Sequence, residues 1–151
     1  MKTMAQWLAE YGESHRHPTN KAIHWVCVPL ILFSVLALLW TAPFPALHPW
    51  LNWATVLMAA AVVYYLVLSP KHALGMALIA VALFALIAWL ERAAPAPLWL
   101  IALVVFVGAW IGQFVGHEIE RKKPSFFKDL QFLLIGPAWL LDDAYRRLGL
   151  H

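Results

Sequence analysis

Apolar residues run along this chain in long blocks instead of alternating with polar ones. No Asp, Glu, Lys or Arg occurs from Ala22 to Pro70, from His72 to Leu90, or from Ala93 to His117. Runs of about 18 or more apolar residues match the roughly 30 Å of membrane hydrocarbon at about 1.5 Å per helical residue. Breaks at Ala42-Pro43-Phe44-Pro45, Ser69-Pro70-Lys71 and Pro95-Ala96-Pro97 divide the blocks into four predicted spans, about 23–41, 50–68, 73–90 and 98–117. Pro29 lies inside the first and is expected to kink it.

The ends of the chain are more polar. Residues 3–16 read as a short amphipathic helix with Trp7, Tyr11 and His15 four apart on one face. His17-Pro18 should end it, and Thr19 or Asn20 should cap the first span. The tail from Phe126 to Leu141 is apolar but carries Lys128, Asp129 and a central Gly136-Pro137. That pattern favours an interfacial or re-entrant pair of short helices over a fifth span. The expected fold is an all-α membrane protein, one domain over 1–151, with four transmembrane helices, an N-terminal amphipathic helix and a C-terminal interfacial segment. The polar start and the length of the first apolar run argue against a cleaved leader.

Composition agrees. Only 13% of residues are charged and 63% are hydrophobic, against roughly 25% charged in soluble domains. Several of the nine Trp residues flank apolar runs, where amphipathic rings favour the interface. The aromatic residues are not interleaved with Arg and Lys, which excludes a nucleic-acid surface. The single Cys27 excludes an internal disulfide and thiolate metal clusters. With four spans, ten of the eleven basic residues fall on one face and only Arg92 on the other. That face should be cytoplasmic. The same topology gathers His15, His17, His24, His72 and His117 there and leaves His48 opposite.

Two segments carry candidate chemistry. In Tyr11-x3-His15-x4-Asn20-x3-His24, Asn20 and His24 share a helix face. In Gly112-Gln113-Phe114-Val115-Gly116-His117-Glu118-Ile119-Glu120, His117 shares a face with Gln113 at i,i+4 and with Glu120 at i,i+3, a spacing used by metal sites in helix bundles. Gly112 and Gly116 let a neighbouring helix approach closely. Ionisable groups at membrane depth are costly and usually functional. Without thiolates, imidazoles suit a mononuclear iron or zinc site. The tight histidine repeats of di-iron desaturases are missing. His17 and His48 read as headgroup contacts, and the basic run Arg121-Lys122-Lys123 as a topology signal.

These two segments, with Pro29, Pro124 and the late Gly136-Pro137, resemble the 2-hydroxy fatty acid dioxygenases, fungal endoplasmic-reticulum enzymes of α-oxidation and their bacterial relatives. The resemblance covers nearly the whole chain; it departs at Cys27, where glycine is expected. It implies an Fe(II) enzyme that takes a 2-hydroxy fatty acid and O2 to the acid one carbon shorter with loss of CO2. His15, His24 and His117 are the implied iron ligands, with His72 the expected fourth and Glu120 either its rival or a carboxylate that supports a ligand from behind. Asn20, Gln113 and Tyr11 would orient ligands or the substrate head. Arg16, Lys21, Lys71 or Arg121 would attract the carboxylate. No nicotinamide or flavin fingerprint occurs. The implied location is an integral membrane, the inner membrane in a bacterium or the endoplasmic reticulum in a eukaryote, and the composition leans bacterial. The competing expectations are a non-catalytic membrane protein with interfacial histidines, a zinc-dependent lipid hydrolase on the same histidines and, more weakly, a haem protein.

Overall fold

The computed structural model describes residues 2–45, 48, 50–124 and 131–150. It is all-helical over these residues: α1 (Met4–Gly12), α2 (Pro18–Thr41), α3 (Trp53–Leu68), α4 (Pro70–Ala93), α5 (Leu98–Glu120) and α6 (Phe132–Arg147). Three helices, α2, α4 and α5, are long and apolar enough to cross a membrane, not the four expected. The second expected span falls short because its ends are sharply set. Asn52 accepts from the N–H groups of Ala54 and Thr55, Thr55 caps in return, and Ser69-Pro70 stops the helix. The resulting 16 residues reach only about 24 Å, less than the hydrocarbon thickness.

Two compact units divide the chain: residues 1–29 with 109–151, and residues 30–108. In the second unit α3 and α4 form a hairpin in which Ser69 ends one helix and caps the next. Its buried face follows a helical period, with Ala54, Met58, Ala61 and Tyr65 on α3 and Ala73, Met76, Ala80 and Ile87 on α4. Val63, Val67, Leu78 and Val81 face outward, as suits contact with lipid. Trp40 donates to Glu91, and Trp53 to the Pro43 carbonyl, beside the 42–52 connection.

In the first unit α1 docks on α6. Trp7 packs edge-on against Phe132 at 5.2 Å, and Tyr11 lies 5.6 Å from Trp139. The N-terminal helix is shorter than expected: a Thr3–Gln6 capping box starts it and it ends at Gly12, which leaves His15 on a connecting loop. The cap of α2 also differs. Pro18 takes the first helical position, where its missing N–H costs nothing, and the His17 ring accepts from Thr19 N–H. Asn20 is thereby released to the interior. His17 thus has a capping role that the sequence reading did not assign it. Among the described residues the tail is helical without a break at Gly136-Pro137, where a division into two short helices was expected; residues 125–130, with Lys128 and Asp129, lie outside the described residues.

Candidate metal centre

The loop after α1, the first turns of α2 and the last turns of α5 bring His15, His24 and His117 together. All three are buried, at 1%, 1% and 5% exposure. One ring nitrogen from each lies within 4.8 Å of the others. His15 and His24 cross nearly perpendicular at 4.2 Å between ring centres, and each lies 5.0 Å from His117.

The hydrogen bonds of the first two rings decide what faces the centre. His15 Nδ1 lies 2.6 Å from the Tyr11 carbonyl and His24 Nδ1 lies 2.9 Å from the Asn20 carbonyl. A carbonyl only accepts, so both Nδ1 atoms carry the proton and donate. Both Nε2 atoms then present lone pairs, and these face each other at 2.9 Å. Two buried lone pairs at that distance repel unless a cation lies between them. A cation held by both nitrogens would turn that repulsion into attraction. His117 Nδ1 is a third buried ring nitrogen without a hydrogen-bond partner. A backbone carbonyl behind each ligating histidine is the usual support of a metal site. Burial holds the His15 pKa down to about 4, against the Tyr11 carbonyl that raises it, so the ring is neutral and ligand-ready at pH 7. The residues therefore fit a metal ion.

A family model described as 2-hydroxy-palmitic acid dioxygenase Mpo1-like matches residues 1–148. The chain belongs to that family. No curated protein and no solved structure matches it. Within this Mpo1-like chain the histidine cluster is built from both ends of the sequence and carried by the first unit alone.

Around the histidines the remaining expected residues separate. Tyr11 stacks on His15 at 4.1 Å and 12°, and burial keeps its phenol protonated. Asn20 is fully buried and donates to the Ser14 carbonyl and to Glu120. Its Oδ1 has no hydrogen-bond partner and sits where a Cβ on Gly116 would be. Gly112 makes similar room: a Cβ there would lie 2.6 Å from Cys27 Sγ, so the cysteine occupies space that this glycine leaves. Gln113 is buried on α5 one turn before His117.

Glu120, the expected rival ligand, stands outside the cluster. Its carboxylate accepts from Arg16 N–H at 3.0 Å, His17 N–H at 2.8 Å and Asn20 Nδ2 at 3.2 Å. It clasps the loop that carries His15 to the helix that carries His117. His72, the expected fourth ligand, belongs to α4 in the second unit, and its Nδ1 meets Ser69 Oγ at 2.9 Å. Lys71 stands beside it on α4, while Arg16 and Lys21 are exposed in the first unit and Arg121 follows the last turn of α5. The spacing of Glu120 from His117 marked it as a ligand or a supporting carboxylate, but its partners Arg16 and His17, and the Trp139 ring 5.5 Å from His15, had no signal in the sequence, because these contacts join residues more than 100 positions apart.

Proposed function

We propose that this chain is an Fe(II)-dependent dioxygenase that converts a 2-hydroxy fatty acid and O2 to the acid one carbon shorter, CO2 and water. The supporting observation is the pair of facing Nε2 lone pairs completed by His117, in a chain of the Mpo1-like family. The reaction balances without a further reductant: R–CH(OH)–COOH and O2 give R–COOH, CO2 and H2O. Iron supplies the reactivity towards O2 that no side chain here possesses.

The chain's own residues do the rest. His15, His24 and His117 hold the ion. The carbonyls of Tyr11 and Asn20 fix two of the rings by accepting their Nδ1 protons. The Tyr11 ring, Trp139 and Phe132 close one side of the cluster and limit water. Glu120 and Asn20 position the loop and act through the histidines. The apolar helices keep the site in a membrane. Lys2, Arg16, Lys21, Arg121, Lys122, Lys123, Arg146 and Arg147 all belong to the unit that carries the site, which supports its placement on the cytoplasmic side.

The test is anaerobic purification, elemental analysis and reaction with 2-hydroxypalmitate and O2, followed by mass spectrometry. About one iron per chain and a fifteen-carbon acid, both lost in His117→Ala, are expected. Zinc with no oxygen consumption would replace this reading with a hydrolase.

A further inference from the structure

We propose that the carboxylate of the fatty acid is bound in a cavity at the carboxyl end of α5, with Arg121 and Lys123 as its anion-binding side chains. This rests on the dioxygenase reading above. The cavity measures about 630 Å³, within the usual range of small-molecule sites. His117 lines it, so an occupant meets the histidine cluster along one wall.

The lining has the two-sided chemistry of a fatty acid. Phe114 and Pro124 supply its apolar lining. On the same stretch of α5, Phe114 and Ile111 are 47% and 60% exposed, which gives an acyl chain an apolar track away from the site. The same lining carries three cations and one acid, Glu118. Lys122 Nζ donates to the Glu13 carbonyl at 2.6 Å and is occupied in holding the end of α1. Among the described residues Arg121 and Lys123 are in no ion pair. Arg16 and Lys21, the other expected carboxylate partners in this unit, do not line the cavity.

The backbone of Arg121 is an independent observation. Its φ is +56°, and it is the one described non-glycine residue with positive φ. The bonds Arg121 N–H to Glu118 carbonyl (3.1 Å) and Lys122 N–H to His117 carbonyl (3.2 Å) make it the left-handed residue of a helix-ending motif. Glycine is the residue that takes this conformation without steric cost. Past the end of α6 the chain uses it, as Gly149 at φ +71°. At the end of α5 it carries an arginine instead, under strain and beside His117. Strain retained at one position next to a reactive cluster points to use of the side chain.

The decisive variant is Arg121→Gly, because its structural and binding effects have opposite signs. With strain relieved, Tm should hold or rise by about 2–4 °C. The metal-free protein in detergent should bind palmitate about 10-fold or more weakly, since a charge-assisted bond is lost, while palmitate methyl ester binds alike in variant and wild type. In the iron-loaded protein KM for 2-hydroxypalmitate should rise with kcat within about 2-fold, and Arg121→Lys should recover part of the affinity. Unchanged palmitate affinity in Arg121→Gly overturns the proposal. So does a change confined to binding of vesicles containing phosphatidylglycerol, which would make Arg121 a lipid-headgroup contact. Arg121-dependent palmitate binding in a wild-type protein that shows no turnover supports the pocket and removes the dioxygenase reading.

Discussion

Glu120 makes no contact with the three clustered nitrogens, yet its loss should weaken metal binding by more than an order of magnitude. Its carboxylate holds the backbone N–H groups of Arg16 and His17 and the side chain of Asn20. Those bonds fix the loop that delivers His15 and the residue whose carbonyl orients His24. A charge-assisted hydrogen bond is worth about 1.5–3 kcal/mol when buried. Glu120 is partly exposed, so about 1 kcal/mol each is the appropriate scale. Glu120→Ala removes three and leaves water to replace part of the loss, for a net cost of about 2 kcal/mol. If the loop orders again only when metal binds, that cost falls on the metal-bound state, and affinity drops about 30-fold. Glu120→Gln should fall between wild type and Glu120→Ala, because its amide oxygen can still accept from His17 N–H and Asn20 Nδ2 while its NH2 group faces the Arg16 N–H donor. Competition with a chelator of known affinity measures the drop. The d–d spectrum of the Co(II) form at saturation separates the two roles: a clasp leaves it unchanged and a direct ligand does not. Wild-type metal affinity in Glu120→Ala would refute the clasp.

Metal should stabilise the fold strongly, since it replaces lone-pair repulsion by bonds to three imidazoles. At metal a thousandfold above its Kd the gain is about 4 kcal/mol, so a chelator should lower Tm by about 10 °C in differential scanning fluorimetry. The metal-free protein should lose stability in acid. His15 is held down to about 4 in the fold against 6.5 when free, so its contribution is complete above pH 6.5 and is lost as pH falls towards 4, in total on the order of 3 kcal/mol; denaturant titrations at pH 7 and pH 5 check it. Gly116→Ala would push a methyl group into Asn20 Oδ1 and should cost about 1–3 kcal/mol together with metal affinity, measured by the same titrations.

The all-helical class, the positions of the three long apolar helices α2, α4 and α5 and the three histidines that cluster were legible in the sequence. These features are local: charge-free length sets a span, and a histidine beside polar residues at helical spacing marks a face. Caps were legible less well. His17 and Pro18 start α2 where Thr19 or Asn20 seemed the natural choice, and Asn52 and Ser69 trim α3 below membrane length. A cap competes with neighbouring caps over one or two residues, and periodicity does not resolve that competition. The described part of the tail stays helical through Pro137 because the element packs on α1, and that packing outweighs the proline's local cost.

What the sequence alone determined is therefore the inventory: which segments are apolar enough to enter lipid, and which side chains can ligate. Tertiary structure decided the assignment of roles. Glu120 and His117 share a helix face, and the same spacing is compatible with a ligand or a clasp. Only the approach of the Arg16 and His17 N–H groups, across a sequence separation of more than 100 residues, makes Glu120 an acceptor for the loop. Likewise, Arg121 is one of four cations that the sequence offers as equal partners for a carboxylate, and only its left-handed backbone and the cavity beside His117 set it apart from Arg16 and Lys21. Spacing along a helix fixes direction, but the partner at the end of that direction comes from another part of the chain and is set by packing.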